Sequence, residues 1–452
     1  MGKQSKKGNK KALRLAPTQI IALSFAAIIL LGTVLLMLPI SSKSGQPTAF
    51  RPALFTATSA TCVTGLVMFD TGAYWSGFGQ TVILTMIEIG GLGFMSVASL
   101  VIFLLRRKVG LRQKMVMAQA LSVNEMEGVV RLQKWVLLGS LTVQMTGALI
   151  LFLRFLPQQG VGTALKWGVF HSVSAFCNAG FDIFGTGQSL MTLNNDPLVM
   201  FTLMGLILIG GLGFFVWEEV ATYRKEKRLS VYTRLVLIMT AVLTLGGATL
   251  ITVLEWNNPG TLGTMSIPQK LMNGLFQSVT LRTAGFAAVD QAMLTDGTKG
   301  ASLLLMLIGG ASGSTAGGAK MITVLVLTLF VIARAKGRST VTVLRRTVPH
   351  EKILDAATIV AIMVFLALSG AVVITATSPV GFTDAAFETV SALATVGITA
   401  GATPLLSVPA QLMIILFMYF GRVGILTLSL GFLMGDKAEE RFRYADTNLL
   451  IG

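Results

Sequence analysis

A short phrase that ends in glycine occurs four times along the 452-residue chain. Its glycines, Gly65, Gly180, Gly285 and Gly397, are separated by 115, 105 and 112 positions. Because glycine adopts backbone conformations that other residues avoid, such a segment can direct successive carbonyl oxygens toward one axis. Carbonyl oxygens replace the water shell of a monovalent cation without a full charge that would trap it. One copy would indicate only a tight turn, but four at even spacing favour cation coordination. The copies are FTATSATCVTG (55–65), FHSVSAFCNAG (170–180), FQSVTLRTAG (276–285) and FETVSALATVG (387–397).

The composition indicates an integral membrane protein, because 53% of the residues are apolar and only 12% are charged. Roughly 20 apolar residues are needed to cross the hydrocarbon core as a helix, and eight stretches approach or exceed that length. Four shorter segments are too short to cross, so we predict that they are re-entrant helices lining a shared aqueous cavity. The predicted spans are 18–40, 79–105, 135–156, 198–223, 236–254, 301–333, 353–375 and 408–434, and the re-entrant segments are 52–60, 166–176, 270–280 and 383–393.

The formal charge of +16 is segregated along the chain. Of the 36 Lys and Arg residues, 27 lie in five segments that an even number of spans places on one face. The positive-inside rule makes that face cytoplasmic, with both termini inside. Anionic lipid or an acidic partner is expected at this basic surface, and nucleic acid is not. The basic segments are 3–14, 106–134, 224–234, 334–352 and 437–443.

A second repeat, Gly-x-x-Gly, follows each phrase by 24 to 30 residues, starting at Gly90, Gly210, Gly310 and Gly421. Close helix packing through small residues would explain any one of them, whereas four at matched spacing favour internal repetition. In the third unit the element extends to GGASGSTAGGAK (309–320), which predicts a break in the helix below the cavity. A phosphate-binding loop is excluded there, because Ala319 separates Gly318 from Lys320 and no strand precedes it.

We therefore predict an all-α polytopic membrane protein whose eight transmembrane helices form four pseudo-symmetric helix, re-entrant loop, helix units around one pore. The predicted parts are a basic cytoplasmic tail (1–16), unit 1 (17–107), unit 2 (108–228), unit 3 (229–338, with an intramembrane gating loop at 310–320), unit 4 (339–436) and a cytoplasmic C-terminal tail (437–452).

The four phrases, together with GGLGF at 90–94 and 210–214, RTAGF at 282–286 and FGRVG at 420–424, resemble the Trk/Ktr/HKT superfamily of potassium transporters. The short termini are most similar to the membrane subunit of Ktr-type systems. The resemblance implies a selectivity filter, and glycine at all four filter positions implies potassium. It also implies a gate at the broken helix and at an arginine below the filter. The implied filter residues are Val63, Thr64, Gly65, Asn178, Ala179, Gly180, Thr283, Ala284, Gly285, Thr395, Val396 and Gly397. The implied gate residues are Gly310, Gly313, Ser314, Thr315, Gly317, Gly318, Lys320 and Arg422.

Charged residues near the predicted pore are functional candidates, because an ionisable group inside a span is costly. Glu88 either pairs with a cation or with Arg422, or it lies hydrogen-bonded at a helix interface in a charged or a protonated form. We expect Arg422 to raise an electrostatic barrier below the filter. We expect Asp70, Asp182 and Asp290 to form an acidic outer vestibule, Glu388 and His171 to anchor re-entrant helices, and Arg282 to brace the filter from behind. Cys62 and Cys177 are expected to be small pore-lining residues rather than a disulfide or metal site.

The predicted function is channel-like potassium uptake across a bacterial plasma membrane, with selectivity at a single ring of glycines. The alternative is a secondary symporter that couples potassium to protons or sodium. No enzyme is expected, since the two histidines lie far apart and no paired acidic motif occurs. No resident cofactor is expected beyond transported potassium and sodium as an activating ion. The resemblance further implies a homodimer seated on a cytosolic nucleotide-binding RCK (KTN) ring.

Overall fold

The computed structural model describes residues 16–93, 99, 110–120 and 128–424. This part of the chain is almost entirely helical, with one antiparallel hairpin formed by β1 (Thr342–Val343) and β2 (Arg346–Thr347). Short 3-10 turns occur at Pro39–Ser41, Met191–Leu193 and Thr403–Leu405. The helices are α1 (Pro17–Met37), α2 (Phe50–Thr61), α3 (Thr71–Tyr74), α4 (Gly77–Leu92), α5 (Leu111–Ala120), α6 (Val129–Phe176), α7 (Pro197–Gly211), α8 (Phe214–Glu226), α9 (Val231–Glu255), α10 (Ile267–Thr280), α11 (Asp296–Leu307), α12 (Met321–Ala335), α13 (His350–Thr377), α14 (Phe382–Leu393) and α15 (Val408–Val423).

Each predicted unit contains one long helix that precedes its glycine phrase. Among the described residues, α1, α6, α9 and α13 are the four helices that are individually long and apolar enough to cross a membrane. The 48-residue α6 breaks at Gly160 (φ 72°, ψ 167°), three residues after Pro157, so residues 161–176 form a separate arm. That arm, with α2, α10 and α14, matches the short helices expected before the glycine phrases.

We call the helix that leads toward the Gly-x-x-Gly element of each unit its second helix. All four second helices begin at a side-chain cap. Ser76, Asp196, Thr295 and Ser407 each accept a hydrogen bond from a backbone N–H in the first turn of α4, α7, α11 and α15. Such a cap satisfies one of the N–H groups that have no partner within the helix. The start of all four second helices is therefore fixed by the same device.

Three of these helices are interrupted within the Gly-x-x-Gly element, and α11 ends at Leu307, shortly before it. The second glycine of every copy has a positive φ: 83° at Gly93, 90° at Gly213, 65° at Gly313 and 94° at Gly424. This conformation ends a right-handed helix. The prediction of continuous spans at 79–105, 198–223 and 408–434 is therefore wrong at these glycines: α4 ends at Leu92, α15 ends at Val423, and α7 and α8 meet at a bend of 98°. The rest of spans 79–105 and 408–434, and both predicted tails apart from residue 16, lie outside the described residues.

Contacts between neighbouring units close into a cycle. The second helix of each unit contacts the helix that carries the glycine phrase of the next one: α4 against α6, α7 against α10, α11 against α14, and α15 against α2. The fourth unit thus returns to the first. This arrangement brings the four glycine phrases, which lie far apart in the chain, to one place.

Candidate ion-coordinating site

The four glycine phrases adopt the same backbone despite their different side chains. The residue two positions before each glycine is left-handed, with φ of 54° at Val63, 58° at Asn178, 67° at Thr283 and 51° at Thr395. The glycines themselves have φ between 70° and 102°. Three of the four left-handed residues are β-branched, for which this conformation is a rare outlier that costs about 1–3 kcal/mol each. The surrounding structure therefore imposes one specific turn in every unit.

The four glycines, Gly65, Gly180, Gly285 and Gly397, form a closed ring. A Cβ added to Gly65 would lie 2.6 Å from the Ala179 carbonyl oxygen, one added to Gly180 would lie 2.7 Å from that of Ala284, and one added to Gly285 would lie 2.6 Å from that of Val396. A Cβ on Gly397 would overlap the Thr64 carbonyl oxygen. Each glycine thus lies against the carbonyl that precedes the glycine of the next unit. We call this arrangement the glycine ring.

Each turn is held by a hydroxyl group that sequence reasoning missed. In units 1 and 4, Ser59 and Ser391 Oγ accept hydrogen bonds from the N–H of Gly65 (3.1 Å) and Gly397 (3.0 Å). In units 2 and 3, Ser174 Oγ and Thr280 Oγ1 donate to the carbonyls of Phe181 and Phe286, both at 2.7 Å. The signal was present in the sequence, because the fifth residue of all four phrases is Ser or Thr.

The outer side of the glycine ring faces a cavity of about 360 Å³. All four ring glycines line it, together with Asp70, Asp182 and Asp290. The structure therefore brings the three acidic residues predicted for a vestibule to one cavity, which we call the outer cavity. Asp70 joins units 1 and 2 there, since its carboxylate accepts from the N–H groups of Ala73 and Gly187, both at 2.6 Å.

Asp182 differs from an ordinary surface carboxylate. Its burial and the neighbouring Asp70 carboxylate raise the pKa of Asp182 to about 7, against the opposing effect of hydrogen bonds from Phe184 and Ser189. Two nearby carboxylates cannot both be charged at low cost. The charge of the outer cavity therefore changes near neutral pH.

A non-helical loop at residues 308–320 lies beneath the glycine ring, between α11 and α12. We call it the inner loop. Thr315 Oγ1 donates to the carbonyl of Phe176 (3.1 Å), the last residue of α6 within the glycine phrase of unit 2. A Cβ on Gly317 would overlap the Thr395 side chain in the phrase of unit 4. The loop therefore contacts the phrases of units 2 and 4, which lie across the ring from each other. It occupies the position at which the sequence predicts a break in the helix.

Backbone hydrogen bonds fix the inner loop to the interrupted helix of unit 2. Ala311 N donates to the Gly211 carbonyl at 3.0 Å, Thr315 N to that of Gly210 at 3.2 Å, and Phe214 N to the Gly313 carbonyl at 2.9 Å. The bend between α7 and α8 frees these groups to pair with the loop. Within the loop, Ser314 Oγ donates to the Ala311 carbonyl, Met321 N donates to that of Gly310, and Gly318 has a φ of 68°.

The inner side of the site is a cavity of about 260 Å³ that contains two basic residues, Lys320 and Arg422. Arg422 donates to the carbonyls of Thr315, Gly90 and Gly91, the last at 2.9 Å. It thereby joins the inner loop to the ends of α4 and α15. Lys320 Nζ donates to the Ala316 carbonyl at 2.6 Å. The sequence-predicted gate residues thus lie together, below the ring.

Glu88 lies at a helix interface, the third of the alternatives considered for it. Its Oε2 accepts from Gln144 Nε2 (2.9 Å) on α6 and from Cys177 Sγ (3.3 Å) in the unit 2 phrase. No ion pair between Glu88 and Arg422 occurs among the described residues.

The remaining polar candidates form hydrogen bonds close to the glycine phrases. Glu388 on α14 accepts hydrogen bonds from Thr399 Oγ1 (2.7 Å) and from Thr403. His171 on α6 forms hydrogen bonds with the Trp167 carbonyl and with Ile183 N. Both side chains therefore anchor the helices that carry the glycine phrases, as expected. Arg282 donates to the Thr244 hydroxyl at 3.3 Å. Cys62 and Cys177 are buried free thiols.

Comparison with known proteins agrees with this geometry. The model of the TrkH family, described as cation transport protein, matches residues 3–441. This chain belongs to the TrkH family. It is 40% identical to the Ktr system potassium uptake protein B of Bacillus subtilis over 442 residues, covering 98% of both chains. It is 38% identical to the potassium/sodium uptake protein NtpJ of Enterococcus hirae, covering 97% of this chain and 98% of that protein.

The TrkH-family fold is also found among solved structures. The crystal structure of the potassium transporter TrkH from Vibrio parahaemolyticus superimposes with a TM-score of 0.73, covering 93% of this chain and 86% of that one at 18% identity. The resemblance noted in the sequence and the expected helical membrane-type fold are thereby confirmed. The TrkH family is a family of cation transport proteins and not a family of enzymes. The division into eight spans and the individual filter and gate residues stay predictions.

Proposed function

We propose that this protein imports potassium through the glycine ring, acting as the ion-conducting subunit of a Ktr-type system. One observation carries the proposal: four backbone turns from distant parts of the chain repeat one conformation and close into a cycle of carbonyl oxygens. Carbonyl rings of this kind replace the hydration shell of a cation. The proposal also follows the names of the two relatives, which are potassium and potassium/sodium uptake proteins.

The path that we propose has three levels. The outer cavity concentrates cations at Asp70, Asp182 and Asp290. The glycine ring then takes the dehydrated ion, with carbonyls of Thr64, Ala179, Ala284 and Val396 as ligands. Below the ring, the inner loop and Arg422 close the path, and the ion passes when they move aside.

The assembly that we propose is that of Ktr-type systems. The protein is a multi-pass component of the bacterial plasma membrane with both termini in the cytoplasm. Two copies form a homodimer, which sits on a cytosolic RCK (KTN) ring that binds nucleotide. Sodium acts as an activating ion. The basic segments between spans support the orientation, since such segments stay on the cytoplasmic side.

A current measurement in proteoliposomes or planar bilayers tests the conduction mechanism. With a potassium gradient alone, a channel-like protein gives a current that reverses at the potassium equilibrium potential. Adding a sodium or proton gradient must leave that reversal potential unchanged. A reversal potential that shifts with either gradient would establish a coupled symporter and contradict the channel-like mechanism.

A further inference from the structure

A cavity of about 490 Å³ opens beside the inner loop, away from the glycine ring. It lies between the first turns of α9, the helix α12, the β1–β2 hairpin and the first turns of α13. Its volume is in the range of ligand sites, about 300–1,000 Å³. The walls between the helices are mostly aliphatic and include Leu235, Ile322, Leu325, Val326 and Ile359.

The mouth of the cavity is basic. Arg346 on β2 and Lys352 on α13 line it, and Asp355 is the only acidic residue among its described lining residues. Asp355 pairs with Lys352 at 3.3 Å. Arg346 forms no ion pair within the described part of the chain, which leaves its charge available to a ligand. The segment 334–352 adds four more basic residues and a single acidic one, Glu351.

An aliphatic slot with a free guanidinium at its mouth suits one class of ligand, an amphiphile with an acyl chain and an anionic phosphate. Guanidinium groups bind phosphate oxygens through paired hydrogen bonds, and basic residues at a membrane surface attract anionic lipid headgroups. The mouth lies where two of the long apolar helices begin, α9 at Val231 and α13 at His350. A phospholipid would therefore meet the cavity with its headgroup at Arg346 and an acyl chain between the helices.

The same cavity contacts the inner loop directly. Ser312 of the loop and Tyr232 of α9 both line it. The Tyr232 hydroxyl donates to the Ser312 carbonyl at 3.2 Å, and the next residue, Gly313, accepts from Phe214 at 2.9 Å. An occupant that packs against Tyr232 therefore acts on the hydrogen bond that holds the loop beneath the ring.

We propose that this cavity binds an anionic phospholipid from the leaflet on the basic face, and that its occupation sets the position of the inner loop through Tyr232. The regulatory half of this proposal rests on the proposed function, because it is measured as cation flux. The binding half does not, because it is measured without transport.

Native mass spectrometry of the full-length protein tests binding. Protein exchanged into detergent with phosphatidylglycerol should retain that lipid over phosphatidylcholine. Arg346→Gln should weaken lipid retention about fivefold, because one basic residue near the membrane surface contributes about that factor to the affinity for anionic lipid. Arg345→Gln, the same change one residue away and outside the cavity lining, should leave it unchanged. Equal losses in both variants, or no preference for phosphatidylglycerol in the wild type, would overturn the site. Displacement by glycerol phosphate would show that a free phosphate ligand is bound instead and would overturn the lipid.

Flux into phosphatidylcholine vesicles, with and without phosphatidylglycerol, tests the coupling. The wild type should show a flux that changes at least about threefold with the anionic lipid, as expected for a coupling between two sites. Tyr232→Phe should bind the lipid normally but lose this dependence, and Tyr223→Phe on the exposed face of α8 should keep it. A lipid dependence that survives in Tyr232→Phe would contradict the coupling. Absence of flux in every vesicle would instead contradict the proposed function and leave the binding result standing.

Discussion

The cavities on the two sides of the glycine ring carry opposite charge. The outer cavity of about 360 Å³ contains Asp70, Asp182 and Asp290, whereas the inner cavity of about 260 Å³ contains Lys320 and Arg422. A cation is attracted to the first and repelled by the second. In the proposed function, cation capture and gating therefore lie on opposite sides of the ring.

The ring and the inner loop also differ in symmetry. At the ring, all four units contribute the same left-handed turn and the same glycine contact. One level below, three units interrupt their helix at a single glycine, but unit 3 inserts residues 308–320 between two helices. Coordination of a spherical ion benefits from equivalent ligands, whereas a closing element need come from only one side. This difference supports the proposal that the four units share selectivity and that unit 3 provides the gate.

The largest expected effect comes from breaking the ring itself. Gly397→Ala places a methyl group where the Thr64 carbonyl lies, at a φ of 89° that alanine rarely adopts. Potassium flux should fall by at least about a hundredfold, since displaced carbonyls cost several kcal/mol. Gly381→Ala is the matched control, because its new Cβ meets nothing within 4 Å. Equal flux in both variants would remove Gly397 from the conduction path.

The next effect comes from neutralising the inner cavity. Arg422→Ala removes a positive charge and three hydrogen bonds to the carbonyls of Thr315, Gly90 and Gly91. We expect maximal flux to rise about tenfold, equivalent to about 1.4 kcal/mol of barrier, and its regulation to be impaired. Arg334→Ala, at the exposed end of α12, is the control. Normal, regulated flux in Arg422→Ala would make Arg422 a packing residue.

A smaller effect is expected at Glu88, which contacts Cys177 in the glycine phrase of unit 2. Glu88→Gln replaces the carboxyl group that accepts hydrogen bonds from Gln144 and Cys177. Flux should fall about fivefold, since such a bond is worth about 1–2 kcal/mol, while selectivity between potassium and sodium is kept. Glu351→Gln, an exposed carboxylate at the start of α13, should behave as the wild type. Unchanged transport at every pH tested would exclude a role for Glu88.

The smallest effect is a pH dependence of the outer cavity. With a pKa of about 7, Asp182 is neutral below that pH and charged above it. As pH falls from 8 to 6, the half-saturation concentration for potassium should rise about threefold, because less negative charge attracts the cation. Asp182→Asn should remove this dependence and hold the high value at both pH values. A dependence that persists in the variant would assign it to another group.

The helical fold and the position of the site followed from patterns that repeat four times. The glycine phrases, the short helices before them and the break at 309–320 were all predictable, because each is marked by composition as well as spacing. The interruptions at Gly93, Gly213 and Gly424 were not, since a glycine in an apolar run is compatible with a packed continuous helix. The hydroxyls of Ser59 and its three counterparts align five or six positions before the ring glycines, but their hydrogen bonds to the turns become evident only in three dimensions. The partners of Glu88 and Arg282 come from distant segments and could be found only in three dimensions.

The central claim is that the glycine ring selects the ion, and the selectivity of Gly65→Ser tests it most directly. A serine Cβ at this position would lie 2.6 Å from the Ala179 carbonyl, so the ring must widen on one side. The measurement is the ratio of potassium to sodium permeability from reversal potentials in reconstituted membranes. We predict that the ratio falls at least about tenfold, which corresponds to about 1.4 kcal/mol of lost discrimination. A ratio and a rate equal to those of the wild type would show that the ion does not pass through this ring.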